Sequence, residues 1–294
     1  MTTSAAFLGL GTMGAAMAAN LASAGFPVRA WNRTARPFVE LRATGVRLAD
    51  TPAEAVADAD VVVVCVSDTP DVEAVLFGQD GAAGALRRGA LVIDCSTISP
   101  TATREFSERL AAQGIALVDA PVSGGSEGAR NATLSIFVGG DLEAVERARP
   151  VLAAMGSTIT HVGAVGAGQA VKAVNQVILA GAYLGVAEGI VLAMKAGLDV
   201  EQVVAALSGG AAQSWVLANR SGRMLANDYP LGFKVALHRK DLAIALELAR
   251  DLGADLPVTE LAERLEVELI DQGHGGDDVS ALARAVRARS GLPG

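Results

Sequence analysis

An α/β fold in two parts is expected from three features of the sequence. Up to about residue 163, short apolar runs alternate with helical patterns, which is typical of a doubly wound sheet. Continuous β-branched runs such as Val61–Ser67 indicate strands covered on both faces, and hence a mostly parallel sheet. After the glycine-rich link at residues 163–168 no strand pattern recurs, and a long helix begins near Gln169. We therefore predict a doubly wound sheet domain followed by an all-helical domain.

The predicted domains are residues 1–163 and 164–294, with a long helix over about 169–196 that joins them. The predicted strands are Ala5–Leu10, Pro27–Asn32, Val61–Ser67, Ala90–Ser96, Ile115–Asp119, Leu134–Gly139 and Thr158–Gly163. The helices that alternate with them are Ala15–Ala24, Pro52–Ala57, Pro70–Leu76, Thr101–Gln113 and Leu142–Met155. The helical domain continues with Val200–Leu207, Gln213–Leu225, Arg239–Leu252, Pro257–Gln272 and Val279–Arg289.

The first predicted strand runs into three glycines spaced as G-x-G-x-x-G, and an Ala-rich helical pattern follows. In a Rossmann-type βαβ unit these glycines permit a tight turn, let the backbone approach a pyrophosphate, and let the helix pack close to the strand. The phosphates then meet the N–H groups of the helix N-terminus. Glycines also mark ordinary turns, so the prediction depends on this strand-to-helix context. The predicted dinucleotide loop consists of Gly9, Leu10, Gly11, Thr12, Met13 and Gly14.

Composition excludes several classes of protein. Hydrophobic residues make up 51% of the 294 residues, which argues against disorder. The net charge of −8 argues against a nucleic-acid partner, because phosphate binding needs clustered cations. Cys65 and Cys95 lie in apolar strand patterns and form neither a disulfide framework nor a metal cluster; His161, His238 and His274 lack metal-ligand spacing, so no metal is expected.

A soluble, cytoplasmic protein without a membrane partner is expected. The N-terminus has no basic region of the signal-peptide type. Val177–Met194 is apolar and nearly long enough to span a bilayer, but it contains Glu188 and three glycines. We interpret it as a helix packed among other helices.

The residues after the second predicted strand bear on the choice of cofactor. An NAD site usually places an acidic residue there to bind the ribose 2′-hydroxyl, whereas this chain has Asn32, Arg33 and Thr34, and no carboxylate until Glu40. The Arg33 guanidinium can bind a 2′-phosphate in bidentate fashion, and Thr34 can donate a further hydrogen bond. The alternative is a solvated surface arginine. We predict a preference for NADPH, with NADH also possible.

Polar residues also end the later strands of the sheet. Val66 and Ser67 end the third strand, and Thr97 follows the fourth. After Asp119, Pro121 stops the ladder, and Ser123-Gly124-Gly125 offers a hydroxyl beside two glycine N–H groups. Such an array suits a carboxylate, although a plain turn would look similar.

The predicted long helix begins with a polar face. Lys172, Asn175 and Gln176 stand at positions i, i+3 and i+4, so they share one face of an otherwise apolar helix. Burying such groups is costly unless they have a function. The alternative is a helix end that protrudes into water, where lysine is ordinary. Trp215 and Phe233 fit either a substrate pocket or an apolar core.

The chain resembles the β-hydroxyacid dehydrogenases, a family that includes 3-hydroxyisobutyrate dehydrogenase, tartronate semialdehyde reductase and glyoxylate/succinic semialdehyde reductases. Four motifs carry the resemblance in the family's order: Phe7–Gly14, Asp119–Gly125, Gly166–Gln176 and Lys240–Leu242. The resemblance implies Lys172 as the catalytic residue, Ser123, Gly124, Gly125 and Asn175 as substrate anchors, and Thr97 and Lys240 as cofactor contacts. We add Gln176 to the substrate site, and Asn32, Arg33, Thr34, Val66 and Ser67 to the cofactor site.

The expected reaction is hydride transfer between nicotinamide C4 and a small carboxylate-bearing aldehyde or hydroxyacid, with Lys172 as general acid or base. Two alternatives stay open. Imine reductases share the architecture but usually lack the lysine on the long helix, and a non-catalytic NADPH sensor would need no lysine there. The resemblance, together with small residues and apolar helices in the second half, also suggests a homodimer or homotetramer.

Overall fold

The computed structural model describes residues 3–36 and 38–293, and the chain divides into two compact units, Met1–Lys172 and Ala173–Gly294. The first unit is an α/β unit, and the division falls inside a long helix, Ala167–Lys195. The strands of the first unit are β1 (Ala5–Leu8), β2 (Val28–Trp31), β3 (Arg47–Leu48), β4 (Val61–Val64), β5 (Leu91–Asp94), β6 (Ala116–Asp119), β7 (Val122–Ser123), β8 (Leu134–Gly139) and β9 (Gly156–Gly163). Its helices before the long one are α1 (Gly14–Ser23), α2 (Val39–Ala43), α3 (Pro52–Val56), α4 (Thr69–Phe77), α5 (Pro100–Ala111), α6 (Gly125–Asn131) and α7 (Leu142–Ala153).

The strands form one twisted sheet in the order β3-β2-β1-β4-β5-β6-β8-β7, with β9 paired to β8. Every pair from β3 to β6 is parallel, β8 runs antiparallel to β6 and β7, and β9 runs parallel to β8. The order reverses between β1 and β4, which is the switch point where doubly wound sheets bind ligands. The predicted α/β, mostly parallel sheet is confirmed.

Two apolar clusters cover the two faces of the sheet. One contains Phe7, Val63 and Ile93 and packs against α1 and α7; the other contains Leu8, Val64 and Val92. Every residue of β1, β4 and β5 is buried, and apart from Asp94 at the end of β5 all of them are apolar, as expected for strands covered on both faces.

The sequence overestimated the length of several strands and missed short elements. The predicted strand Val61–Ser67 ends at Val64, because Asp68 turns the chain and caps α4 by accepting a hydrogen bond from the Asp71 N–H. β3 and β7 have two residues each, too few for a periodic pattern. Pro121 does not end the pairing: its carbonyl accepts a hydrogen bond from the Phe137 N–H at 3.0 Å, and β7 follows at once.

The second unit is helical. After α8 (Ala167–Lys195) come α9 (Val200–Leu207), α10 (Trp215–Ala226), α11 (Val235–Leu252), α12 (Pro257–Asp271), a short 3-10 helix (Val279–Ala281) and α13 (Leu282–Arg289). Asp199 and Ser214 cap α9 and α10 through their side-chain oxygens. Within the described residues of this unit, the isolated bridge between Lys234 and Asp278 is the only β pairing.

Helix α8 supplies part of the second core. By length and composition alone it is apolar enough to cross a membrane, and no other helix of the described residues meets that test. Its residues Ala180, Tyr183, Leu184, Ala187 and Ile190 are nevertheless buried in the same apolar cluster as α11, α12 and α13. This arrangement matches the interpretation of Val177–Met194 as a helix packed among helices.

Candidate active site

The loop between β1 and α1 has room for a ligand beside one of its three glycines. A Cβ on Gly9, which has a φ of +105°, would overlap the carbonyl oxygen of Cys65, and a Cβ on Gly14 would overlap that of Gly9. A Cβ on Gly11 would meet nothing within 4 Å. Gly9 and Gly14 therefore allow the backbone segments to approach each other, while Gly11 faces open space.

The start of α1 has the donors that a pyrophosphate needs. Met13, the N-cap residue, makes no side-chain cap, and the first turn holds no acidic residue. The unprotected N–H groups and the positive end of the helix dipole thus favour an anion. Together with the open space at Gly11, they fit the pyrophosphate of a dinucleotide.

The segment after β2 is tied to this loop. The Asn32 Oδ1 accepts a hydrogen bond from the Leu10 N–H at 2.8 Å, and the Asn32 Nδ2 donates to the Thr34 carbonyl at 2.8 Å. Thr34 is exposed. Arg33 is 75% exposed at its side chain, and its Nη1 lies 2.5 Å from the Asp71 Oδ1 on α4. The guanidinium is therefore at the surface, in an ion pair that the sequence did not reveal.

A hydrogen bond to Ser96 joins the segments that follow β4 and β5. The Ser96 Oγ accepts a hydrogen bond from the Val66 N–H at 3.0 Å, and the Ser96 N–H donates to the Asp94 Oδ1 at 2.9 Å. Ser67 is exposed, and Thr97 is half-buried. Val66 also lies beside Gly9, since a Cβ on that glycine would come within 2.7 Å of the Val66 Cγ1. The structure thus brings the predicted residues of β1 and β4 together at the switch point.

Asp119, at the end of β6, holds the start of α8. Its Oδ1 accepts a hydrogen bond from the Gly166 N–H at 2.7 Å, and its Oδ2 accepts one from the Gln169 N–H at 2.8 Å. A Cβ on Gly139 or Gly168 would collide with this carboxylate, which explains why glycine stands at both positions. Burial raises the pKa of Asp119 above its ordinary value, although the hydrogen bonds from the backbone oppose that rise.

Gln169 makes a second connection from the same turn of α8. Its Oε1 accepts a hydrogen bond from the Ile98 N–H at 3.1 Å, and its Nε2 donates to the Ser96 carbonyl at 2.8 Å. These two bonds flank Thr97, the predicted cofactor contact. No role was predicted for Asp119 or Gln169 from the sequence. Each lies inside one of the four family motifs, and this position was the feature that could have indicated a function.

Lys172 follows one turn after Gln169 on α8. It is buried, with 7% of its surface exposed. A protruding, solvated helix end would leave this side chain in water, so the alternative considered from the sequence does not describe it. The lysine instead extends from a helix whose first turn is attached to β5 and β6.

The Ser123-Gly124-Gly125 segment forms the corner between β7 and α6. Ser123 is partly exposed and pairs with Ser135 across the sheet. Gly124 and Gly125 have φ values of +128° and +62°, which favour glycine at both positions. Helix α6 is held to α1 by a hydrogen bond of 2.7 Å from the Asn20 Nδ2 to the Ala129 carbonyl.

The polar residues of the second unit form a hydrogen-bonded chain. The Asn175 Nδ2 donates to the Gln176 Oε1 at 2.8 Å, and the Gln176 Nε2 donates to the Asp241 Oδ2 at 2.6 Å. The other oxygen of Asp241 lies 2.9 Å from the Lys240 Nζ. Gln176 and Asp241 are buried, so this chain fixes the orientation of the Asn175 amide.

A buried acid–base pair joins α11, the helix of Lys240, to α12. The His238 Nδ1 is 2.5 Å from the Glu266 Oε1, and both side chains are fully buried. His238 also packs edge-on against the rings of Tyr183 and Phe233. Burial raises the pKa of Glu266, while the neighbouring His238 lowers it. Phe233 thus contacts the core of the unit, whereas Trp215 is half-exposed beneath the Arg220 guanidinium.

Among the residues that the structure describes, no cluster of three or more His, Cys, Asp or Glu side chains could hold a metal ion.

Comparison with known proteins identifies the chain's relatives. A family model described as the NAD binding domain of 6-phosphogluconate dehydrogenase matches residues 4–163. A second, described as "NAD-binding of NADP-dependent 3-hydroxyisobutyrate dehydrogenase", matches residues 166–286.

Individual relatives match almost the entire chain. The 2-hydroxy-3-oxopropionate reductase of Escherichia coli is 41% identical over 281 residues, which cover 95% of this chain and 96% of the relative. The 3-hydroxyisobutyrate dehydrogenase of Pseudomonas aeruginosa is 39% identical over 299 residues, which cover 98% of this chain and 99% of the relative. The solved structure of Mycobacterium tuberculosis 3-hydroxyisobutyrate dehydrogenase with L-serine has a TM-score of 0.88 and 38% identity, and covers 98% of this chain and 100% of that one.

The doubly wound sheet, its glycine loop at the switch point and the two matched families define an NAD(P)-binding oxidoreductase. The chain belongs to the β-hydroxyacid dehydrogenase family, whose members are dehydrogenases and reductases that act on hydroxyacids. The resemblance seen in its motifs is therefore confirmed.

Proposed function

We propose that this chain is an NADPH-preferring oxidoreductase that transfers a hydride between nicotinamide C4 and a small β-hydroxyacid or semialdehyde acid, with Lys172 as general acid and base. The observation that carries the proposal is the burial of Lys172. It lies one turn after Gln169 on α8, and the start of this helix is hydrogen-bonded to Asp119 and to the Ser96 carbonyl. A lysine held out of bulk water, on a turn next to one that is bonded to β6 and to the segment after β5, is suited to proton transfer with a bound substrate.

The chemistry of Lys172 follows from the charge that develops on the substrate. Bound NADPH supplies the hydride that reaches the carbonyl carbon. As the carbonyl oxygen becomes an alkoxide, the Lys172 ammonium stabilises its negative charge and donates a proton to it. In the oxidation direction the neutral Lys172 amine accepts the proton of the substrate hydroxyl.

We assign the substrate carboxylate to the Ser123-Gly124-Gly125 corner. A partly exposed hydroxyl next to two glycines with positive φ can present adjacent donors to an anion. We assign the second anchor to Asn175, whose amide orients the substrate or Lys172.

Gln176 has a supporting role in this scheme. Its amide is hydrogen-bonded at both ends, to Asn175 and to Asp241, and it is buried. We therefore propose that it acts on the substrate through Asn175. Lys240 and Thr97 remain proposed cofactor contacts, and so do Val66, Ser67 and the loop Gly9–Gly14.

The preference for NADPH is supported by the segment after β2. This segment offers the exposed Arg33 guanidinium and the Thr34 hydroxyl, and no carboxylate until Glu40. A 2′-phosphate would bind these groups, whereas the neutral 2′-hydroxyl of NADH would gain less from them. Replacing Arg33 with Ala should raise the Michaelis constant for NADPH several-fold and change that for NADH little.

The central test is Lys172→Ala, with Lys195→Ala as matched control. Lys195 lies at the other end of α8, is exposed, and donates to the Ser290 carbonyl at 3.1 Å. We expect Lys172→Ala to lower kcat by about 100-fold or more while the Kd for NADPH, measured by fluorescence titration, changes little. Lys195→Ala should retain both values. Near-normal turnover of Lys172→Ala would contradict the mechanism.

A substrate panel separates the remaining functions. Glyoxylate, succinic semialdehyde, tartronate semialdehyde and methylmalonate semialdehyde would each be assayed with NADPH and with NADH. Turnover of at least one of them is the expected result. Reduction of cyclic imines alone would favour an imine reductase, and NADPH binding without any turnover would favour a sensor.

We also propose that the protein is cytoplasmic and forms a homodimer or homotetramer. Cys65 and Cys95 are free thiols, as expected in a reducing compartment. Val174, Ile178 and Leu192 lie exposed along one stripe of α8, and apolar stripes of this kind mark association surfaces. Light scattering on the purified protein, with Leu192→Glu as the disrupting variant, tests the oligomer.

A further inference from the structure

The ion pair between Arg33 and Asp71 connects the predicted 2′-phosphate site to an acidic residue far along the chain. The Arg33 Nη1 and the Asp71 Oδ1 are 2.5 Å apart, although 38 residues separate them in sequence. Arg33 belongs to the segment after β2, and Asp71 is the third residue of α4. The group proposed to recognise the phosphate therefore already has a carboxylate beside it.

Asp71 is the better fixed of the two partners. Its side chain is 20% exposed, against 75% for Arg33. Its backbone N–H donates a hydrogen bond of 3.1 Å to the Asp68 Oδ1, the N-cap of α4. A carboxylate in the first turn of a helix is also stabilised by the helix dipole. The negative charge is thus held in place, and the flexible Arg33 side chain is the partner that can move.

We infer that Asp71 determines cofactor selectivity by competing with the 2′-phosphate of NADPH for the Arg33 guanidinium. The inference rests on the proposed role of Arg33. A phosphate that binds Arg33 must either displace the Asp71 carboxylate or share the guanidinium with it, and in both cases two like charges lie close together. NADH carries a neutral 2′-hydroxyl and is not subject to this repulsion. Asp71 therefore lowers the preference for NADPH below what Arg33 alone would give.

The test is Asp71→Asn, which keeps the shape of the side chain and removes its charge. Glu73→Gln is the matched control, because Glu73 lies on the same helix and its ion pair with Arg109, at 2.9 Å, is also at the surface. The Kd values for NADPH and NADH would be measured by nicotinamide fluorescence without substrate, at low and high salt. Asp71→Ser repeats the measurement with a second polar residue suited to the first turn of a helix.

We expect Asp71→Asn to lower the Kd for NADPH roughly fivefold, in line with one surface charge pair, and to leave that for NADH within about twofold. Glu73→Gln should change neither. The gain should shrink at high salt, because exposed charges are screened. An unchanged ratio of the two Kd values, or weaker NADPH binding in both Asp71 variants, would overturn the inference.

Arg33→Ala distinguishes a failure of the inference from a failure of the proposed function. If Arg33→Ala weakens NADPH binding selectively while Asp71→Asn changes nothing, Arg33 recognises the phosphate and the inference about Asp71 is wrong. If Arg33→Ala leaves the NADPH-to-NADH ratio unchanged, the proposed role of Arg33 is wrong, and the competition that depends on it is wrong as well.

Discussion

The Asp119 Oδ2 accepts a hydrogen bond from the Gln169 N–H at 2.8 Å, which joins the end of β6 to the first turn of α8. The other carboxylate oxygen binds the Gly166 N–H, so Asp119 satisfies two N–H groups that have no partner inside the helix. Lys172 lies one turn further along α8. The position of the proposed catalytic amine therefore depends on a residue of the sheet that has no direct part in the chemistry.

Asp119→Asn should destabilise the protein by about 1–3 kcal/mol, because one of the two N–H groups then faces an amide NH2 instead of an oxygen. Asp141→Asn is the control, since Asp141 is exposed and its side chain makes no cap at the start of α7. Urea unfolding followed by tryptophan fluorescence gives the free energies of unfolding. An equal loss in both variants would contradict this role of Asp119.

The loss in free energy of unfolding caused by Asp119→Asn should also depend on pH. Burial raises the pKa of Asp119 above 3.8, so the folded protein keeps this proton to higher pH than the unfolded chain does. The stabilisation from protonated Asp119 is then present at acid pH and is lost as the pH rises through the folded-state pKa. The difference between wild type and Asp119→Asn should therefore be largest at acid pH and smaller at neutral pH. A difference that grows with pH would contradict the raised pKa.

Gln169→Ala should lower kcat by about tenfold, because it removes both hydrogen bonds that flank Thr97. Gln169→Glu should not restore activity, since it would place an oxygen against the Ser96 carbonyl. Hydrogen exchange at the Ile98 N–H should accelerate in Gln169→Ala, which removes the oxygen that accepts from this N–H and so reports the loss of the connection directly. Gln113→Ala, at an exposed site after α5, is the control. Wild-type kcat in Gln169→Ala would exclude a positioning role.

The glycines of the first loop should respond differently to alanine. Gly9→Ala should cost at least about 1–3 kcal/mol of stability, because its methyl group would overlap the Cys65 carbonyl oxygen. Gly11→Ala should fold normally but bind NADPH more weakly, because its methyl group would enter the open space assigned to the pyrophosphate. Thermal unfolding and fluorescence titration measure the two effects, and Gly84→Ala, another site with open space, serves as control. Tight NADPH binding by Gly11→Ala would argue against that assignment.

The two thiols should be unreactive in the native protein. Burial, with a smaller contribution from the charge of Asp94, raises the pKa of Cys65 to about 12, and burial also raises the pKa of Cys95. Because the thiolate is the nucleophile, a thiol-specific disulfide reagent at about pH 8 should label neither residue until the protein is unfolded. Rapid labelling of either cysteine in the native state would show that the thiols are not protected in this way.

Local sequence was sufficient to predict a mostly parallel sheet, the long helix and the glycine loop between the first strand and the first helix. Continuous apolar runs and helical periodicity are properties of neighbouring residues, and they gave Leu134–Gly139 and Val200–Leu207 with the observed bounds. β3 and β7 were missed because two residues cannot show a period, and α6 was missed because its seven residues, Gly-Ser-Glu-Gly-Ala-Arg-Asn, carry no apolar periodicity. The helix expected over Val279–Arg289 begins as a 3-10 turn, since Asp278 caps the Ser280 N–H at its start.

The hydrogen-bond and ion-pair partners of the polar side chains could not be predicted from the sequence. Arg33 was expected either to bind a 2′-phosphate or to be a solvated surface arginine, and its ion pair with Asp71 was not predicted. Gln169 likewise binds Ile98 across 71 residues of sequence. Such contacts depend on which strands become neighbours and on where each helix begins. Periodicity and glycine spacing are local, and so they define the fold and the class of cofactor. Hydrogen bonds and ion pairs between distant residues form only when the sheet order brings those residues together, and so the packing of the folded chain selects the residues that position Lys172.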